Sequence, residues 1–180
     1  MKQSSMAAIG GIVSSLAVVI MLCTYISPLL VYTAPPFAGL LLVLTVNELG
    51  YKWSLGTYAT ISILSLLFIA DKEAAVFFTM FFGYFPILVL FFEEKLNNMI
   101  LKFIIKLLIF DLSCSGAVFI SSFVFGIDYS DFLEDGILFL AFFIIMMNVL
   151  FVIYDRLVIR LQQLYKLKIQ KRFRKLFGIR

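Results

Sequence analysis

Asp111 is the residue of this 180-residue chain whose position most strongly suggests chemistry. It lies about halfway along an uninterrupted apolar stretch, residues 99–125, where a carboxylate costs about 2.5–3.5 kcal/mol on membrane-insertion scales. Cys114 and Ser115 follow one helical turn later, so the sequence predicts a polar stripe that faces protein or a water-filled cavity. Two interpretations are open. Asp111 makes a structural hydrogen bond, for instance to Asn148 or to a hydroxyl of an earlier helix, or it binds substrate or a proton.

Tyr84 lies beside a predicted break in another apolar stretch, residues 74–92, which contains no charge. Pro86 has no N–H to donate to the carbonyl of Phe82, so a bend near Tyr84 is expected. The bend is either a packing kink or an opening of backbone groups onto a ligand cavity.

Lys72 is flanked by two acids in Asp71-Lys72-Glu73, just before that stretch. Asp71 is a good N-cap, and Glu73 suits the positive end of a helix dipole. Under the alternative interpretation, Lys72 contacts an anionic group on a ligand that arrives from outside. The candidate substrate-binding residues are therefore Asp111, Asn148, Tyr84, Lys72 and Ser115.

The residue types present give little support for an enzyme. The chain has no histidine, which removes the commonest general base and metal ligand. It contains neither the G-x4-G-K-[ST] nor the G-x-S-x-G motif. The acidic pairs at the ends of apolar stretches, such as Glu93-Glu94, are interpreted as solvated rims. We expect no enzyme activity, no metal site and no cofactor.

The composition places these residues in a membrane protein. Hydrophobic residues make up 63% of the chain, charged residues only 14%, and the mean hydropathy is +1.07. The pattern predicts an all-α integral membrane protein with six transmembrane helices in one bundle. The predicted spans are residues 6–32, 37–49, 54–70, 74–92, 99–125 and 136–154, with turns at 33–36 and 50–53. Ser27-Pro28 is expected to bend or end the outer part of the first span.

The charges predict the orientation of this bundle. With both termini in the cytoplasm, fourteen of the fifteen basic residues lie on the inner side and only Lys72 lies outside. The outer side is acidic instead. We divide the chain into a transmembrane domain, residues 1–155, and a basic tail, residues 156–180. The partly amphipathic tail either lies on anionic lipid headgroups or docks a cytoplasmic partner. Nothing besides the tail's charge suggests nucleic acid, so we expect none as a partner.

Small residues recur every four positions along the first predicted helix, at Ala7, Gly11 and Ser15. Such a stripe allows close approach of another helix, either a partner's or one of this chain's own. Together with the size and topology, it resembles the substrate-binding S components of energy-coupling factor (ECF) vitamin transporters. Their first helix carries an A-x3-A pattern that docks on a transmembrane coupling subunit; here Ala7-x3-Gly11 matches it.

The resemblance implies a bacterial plasma-membrane protein that captures a small molecule, vitamin-like or another micronutrient, near the outer face. A coupling subunit and two ATPases would then drive release inside. The alternative is a small polytopic scaffold or assembly protein without a ligand. A capture protein needs a polar-lined pocket open to the outside, whereas a scaffold fills that volume with Phe and Leu. A third class, the secondary transporter, requires inverted repeats, and the two halves show no self-similarity.

Overall fold

The computed structural model describes residues 3–126, 137–170 and 174, and every regular element in that part of the chain is helical. A short 3₁₀ turn, Cys23–Tyr25, follows the first helix, and π-helical turns occupy Phe78–Phe82 and Tyr165–Ile169. The helices are α1 (Gln3–Leu22), α2 (Leu29–Leu40), α3 (Leu42–Leu49), α4 (Tyr51–Phe68), α5 (Lys72–Phe77), α6 (Phe85–Lys95), α7 (Met99–Phe125) and α8 (Ile137–Leu164).

Among the described residues, four helical segments are long and apolar enough to cross a membrane. Consecutive elements combine to form three of them, and α7 alone forms the fourth. They are Gln3–Tyr25, Leu29–Leu49, Lys72–Lys95 and Met99–Phe125. Helix α4 is not among them; its sequence includes Lys52 and a row of serines and threonines. The all-helical membrane class therefore holds, whereas the sixfold crossing remains an expectation.

The predicted turn at residues 33–36 is wrong. Pro35 and Pro36 lie inside α2, and the chain instead reverses between Tyr25 and Leu29, next to Pro28. The first span consequently ends at Tyr25 rather than at residue 32, and the second begins at Leu29. Prolines are tolerated within membrane helices when neighbouring groups satisfy the backbone that they release. The second segment is thus 21 residues long, which is longer than the predicted span at residues 37–49.

Two further boundaries differ from the predicted ones. Gly50, with φ of +80°, alone separates α3 from α4, so the predicted turn at residues 50–53 is wrong. Helix α8 runs past Tyr154 to Leu164 without a break, across the boundary we drew after residue 155. Helix α7 matches its prediction because Asn98 caps its start and Gly126, at φ of +66°, ends it. Gly136, the outer acids Asp128, Asp131, Glu134 and Asp135, and residues 171–173 and 175–180 of the tail lie outside the described residues.

The predicted break near Tyr84 is confirmed. The Gly83 N–H donates to the Phe78 carbonyl at 2.7 Å, which forms a wide π-type turn between α5 and α6. We call this segment, Phe78–Phe82 with Gly83, the opened turn. Pro86 follows as the second residue of α6 and cannot donate to the Phe82 carbonyl. The hydroxyl of Tyr154 on α8 donates to that oxygen instead, at 3.3 Å.

Helix α2 approaches the opened turn closely at Gly39. A methyl group on Gly39 would overlap the Phe82 carbonyl oxygen and come within 2.7 Å of the Tyr154 hydroxyl. Aromatic rings fill the core around this point, and the centroids of contacting rings lie 4.5–6.1 Å apart. The buried rings are those of Phe78, Phe81, Phe85, Phe110, Phe151 and Tyr154.

Substitution of Gly39 by alanine should therefore destabilise the bundle. We expect a loss of about 1–3 kcal/mol, because the added methyl group meets backbone that cannot move freely. Thermal unfolding in detergent measures the change. Gly56→Ala is the matched control, since no atom lies within 4 Å of its added methyl group. Equal melting temperatures for the two variants would contradict the close approach.

Candidate functional site

A cavity of about 90 Å³ lies beside the opened turn, between α2, α5, the π-helical turn, α7 and α8. Residues of α2, α7 and α8 form part of its wall, notably Val31, Tyr32, Pro35, Cys114 and Tyr154. Phenylalanines form much of the remainder: Phe77, Phe81, Phe82, Phe110 and Phe151. The wall is thus mainly apolar and aromatic. This cavity is therefore not the polar-lined pocket that the sequence predicts.

Asp111 and Ser115 lie on the exposed surface of α7 rather than in this cavity. The Ser115 hydroxyl donates to the Asp111 backbone carbonyl at 2.8 Å, a bond within one helical turn. No hydrogen bond or ion pair joins the Asp111 carboxylate to another described residue. Of the predicted polar stripe only Cys114 reaches the cavity wall. In a membrane, the Asp111 carboxylate would therefore lie on a surface otherwise covered by apolar side chains.

Asn148 and Tyr84 occupy separate environments. The Asn148 amide donates to the Ile144 carbonyl of its own helix at 3.0 Å, so it is not the proposed partner of Asp111. The Tyr84 hydroxyl forms a hydrogen bond with the Ser113 hydroxyl on α7, and its ring meets that of Tyr58 edge-on. Tyr84 therefore ties α6 to α7 beside the opened turn.

Lys72 is engaged in the structure of the chain itself. Its ammonium donates to the carbonyls of Leu66 and Ile69, both at 2.9 Å, at the C-terminal end of α4. Asp71 occupies the N-cap position of α5, but its side chain makes no capping hydrogen bond. Within the described residues, no side chain of the five candidates bonds to the side chain of another. The candidates thus do not converge on one site.

The structure reveals a group of charges that sequence reasoning missed, at the end of the bundle predicted to be cytoplasmic. The Lys106 ammonium lies 2.8 Å from the Asp155 carboxylate and 3.0 Å from that of Glu93. Lys102 binds the other oxygen of Glu93 at 2.9 Å. Both Lys106 and Asp155 are buried. Opposite charges at such distances stabilise one another strongly only because little water competes there.

The interpretation as a solvated rim therefore fails for Glu93, which pairs with two lysines, whereas Glu94 is exposed. Glu93 joins α6 to α7, and Glu94 accepts a hydrogen bond from the Tyr51 hydroxyl of α4 at 2.7 Å. Lys106 pairs within the bundle instead of extending to the surface. The signal that could have found them is position: Lys106 lies inside α7 and Asp155 inside α8, and a charge within a long apolar helix needs a partner. We call Glu93, Lys102, Lys106 and Asp155 the inner charge cluster.

Glu48 fixes the beginning of the tail to α3. Its buried carboxylate accepts hydrogen bonds from the Tyr165 hydroxyl at 3.1 Å, the Gln170 amide at 3.0 Å and the Arg174 guanidinium at 3.1 Å. Burial and the Glu48 charge raise the pKa of Tyr165 above its ordinary value, which keeps this hydroxyl a proton donor. One face of the tail therefore packs on the bundle, while Lys166, Leu167 and Lys168 stay exposed.

The stripe of small residues on α1 lies on the outer surface of the bundle. Ala7, Gly11 and Ser15 are exposed, and nothing lies within 4 Å of a methyl group added at Gly11. The neighbouring positions Gly10 and Ser14 are buried, with Gly10 close to Thr57 of α4. The chain thus uses the second row for its own packing and leaves the first uncovered.

Comparison of the chain with protein-family models, with curated proteins and with solved structures finds no match. Among the described residues, no three His, Cys, Asp or Glu side chains cluster in a way that could hold a metal ion. Function therefore has to be argued from the cavity, the exposed stripe on α1 and the two groups of inner contacts.

Lys106→Met should lower the free energy of unfolding by about 3–5 kcal/mol, because it leaves the buried Asp155 carboxylate without its cation. Lys106→Met/Asp155→Leu should recover most of that loss, since no isolated charge then remains. Chemical unfolding in detergent measures both variants. Lys95→Met, at an exposed lysine, is the control. Single and double variants of equal stability would contradict the pairing.

Glu48→Ala should release the tail. Loss of hydrogen bonds to a buried carboxylate removes on the order of 2 kcal/mol, which raises the rate of tryptic cleavage after Lys166 and Lys168 by about thirtyfold. Mass spectrometry of the digest measures this rate. Glu94→Ala removes a carboxylate that binds Tyr51 rather than the tail, so cleavage there should stay at the wild-type rate. Unchanged cleavage in Glu48→Ala would contradict the docked tail.

Proposed function

We propose that the chain is a non-enzymatic substrate-capture subunit of an ECF-type uptake transporter in a bacterial plasma membrane. It crosses the membrane six times with both termini in the cytoplasm. It takes up a small molecule, vitamin-like or another micronutrient, from the outer face. A transmembrane coupling subunit with two ATPases drives release.

The cavity beside the opened turn carries this proposal. A membrane bundle with no ligand has no need for a space at the junction of its helices, because each missing contact costs dispersion energy. In the proposed orientation, Val31 and Tyr32 lie within the first turn of α2 after the outer connection, so one side of the cavity reaches the outer part of the bundle. Its wall also includes Tyr154, the neighbour of Asp155 in the inner charge cluster. A ligand from outside would enter beside Val31 and Tyr32. The wall favours a molecule with an apolar body.

The exposed stripe on α1 supports docking to a partner. In lipid, helices associate through close packing of small residues rather than through the hydrophobic effect. Such a surface is formed by Ala7, Gly11 and Ser15. Within the described bundle, nothing lies within 4 Å of a methyl group added at Gly11. A second helix could therefore come close to the backbone of α1 at Gly11.

The second candidate function is the scaffold without a ligand. One observation favours it: the space between α5, α6, α7 and α8 is largely filled by phenylalanines, and the five candidate polar residues do not converge on the cavity. A scaffold would use the same stripe on α1 for its partners. The two functions therefore differ in the ligand and not in the docking surface.

Purification of the tagged chain from native membranes tests both functions. We expect a coupling subunit, two ATPases and a retained small molecule. Gly11→Leu should reduce recovery of the coupling subunit by about tenfold or more, because a large side chain blocks helix approach. Gly56→Leu, at an exposed glycine of α4 with equal free space, should leave recovery unchanged. Recovery of envelope proteins without ATPases or ligand would favour the scaffold.

A further inference from the structure

One face of α7 stays exposed along the span and carries a carboxylate near its middle. Its exposed positions, at helical spacing, are Ile104, Leu108, Asp111, Ser115, Val118 and Ser122. We call these six residues the α7 stripe. At 1.5 Å per residue, Asp111 lies about 18 Å from the start of a helix about 40 Å long, so its carboxylate is far from both membrane surfaces.

The chain supplies no partner for this carboxylate among its described residues. Ser115, one turn further along the α7 stripe, donates to the Asp111 backbone carbonyl and not to the carboxylate. Asn148 donates within its own helix, and the wall of the cavity does not include Asp111. Ionisable residues inside membrane spans almost always face protein or a water-filled cavity, because lipid tails solvate charge poorly. The protein that faces Asp111 therefore belongs to another molecule.

A second copy of this chain has no free cation to offer at this depth. Lys102 and Lys106 are the only basic residues between positions 99 and 154, and both are bound in the inner charge cluster. The remaining basic residues lie outside the predicted spans. Two copies that met symmetrically at the α7 stripe would instead oppose two carboxylates at the same depth, which disfavours ionisation of both.

The residues around Asp111 suit a helix rather than a lipid tail. Ser115 and Ser122 lie two turns apart on the α7 stripe, and small side chains let a neighbouring helix approach closely. An acyl chain carries no hydrogen-bond donor for the carboxylate. A lysine or arginine on the neighbouring helix supplies both an opposite charge and donors.

We propose that the α7 stripe docks a transmembrane helix of another protein, which carries a lysine or arginine near the middle of its span and pairs it with Asp111. This surface is separate from the exposed stripe on α1. Helix α1 packs mainly on α2 and α4, whereas α7 packs mainly on α5 and the opened turn. The inference goes beyond the capture function, because a scaffold would need the same covering for its carboxylate.

Photo-crosslinking in native membranes identifies the occupant of the α7 stripe. Benzoylphenylalanine replaces Leu108 in the tagged full chain, and mass spectrometry sequences the cross-linked peptide. We expect a transmembrane peptide of another protein, with a lysine or arginine within about one helical turn of the middle of its span. The matched control is Ile63 of α4, which is 59% exposed against 63% for Leu108. The same replacement at Ile63 should not capture that peptide.

Charge variants at Asp111 separate docking from folding. Asp111→Leu should lower the yield of this cross-link about tenfold or more, whereas Asp111→Glu should keep it. The purified Asp111→Leu chain should melt in detergent at the wild-type temperature or higher, because the carboxylate bonds to no described side chain. Asp111→Lys should abolish the cross-link, and replacement of the partner's basic residue by aspartate should restore it in that background.

Several results would overturn the inference. They are a cross-link to a second copy, adducts with lipid alone, a captured peptide without a basic residue, and an undiminished yield in Asp111→Leu. A lower melting temperature of Asp111→Leu would do the same, since it would assign the carboxylate to the fold. Capture of a basic transmembrane helix by a chain that recovers no ATPases would support the α7 stripe and contradict the transporter role. Recovery of ATPases with only lipid on the stripe would do the reverse.

Discussion

The bundle depends on how one backbone carbonyl, that of Phe82, is satisfied where water is scarce. Pro86 deprives it of its helical donor, and Tyr154 supplies a hydroxyl from α8. Gly39 lets α2 come close enough to enclose that contact. Three segments distant in sequence, α2, the turn before α6, and α8, thus meet at this oxygen. The cavity lies beside the same point.

The two ends of the bundle are held by different physical means. At the end predicted to be cytoplasmic, the inner charge cluster and Glu48 connect α3, α6, α7, α8 and the tail through ion pairs and hydrogen bonds to carboxylates. At the predicted outer end, Lys72 donates to the Leu66 and Ile69 carbonyls and Tyr32 donates to Glu73. Aromatic and aliphatic packing surrounds the cavity between the two ends. Packing of this kind is less directional than buried ion pairs, so movement that admits a ligand would occur more readily at the cavity than at the inner charge cluster.

The sequence predicted features that depend on a single residue's backbone chemistry. The break at Pro86, the capped start of α7 at Asn98 and the membrane class all followed from local composition. The turn at Pro35-Pro36 was wrong because burial against neighbouring helices decides whether a proline ends a membrane helix. The surface on which Asp111 lies depends on how α7 rotates against α5, which periodicity within α7 does not determine. Contacts such as that of Glu48 with Arg174 join residues far apart in sequence, so local sequence patterns do not predict them.

The Tyr154 hydroxyl replaces the donor that Pro86 lacks. A double-mutant cycle of unfolding free energies in detergent tests this replacement most directly. Tyr154→Phe should destabilise the otherwise unchanged protein by about 1–2 kcal/mol, because a buried carbonyl loses its donor. In a Pro86→Ala background the restored N–H supplies that donor, so the same substitution should cost much less. Equal costs in the two backgrounds would show that the Phe82 carbonyl does not depend on Tyr154 and would contradict the account.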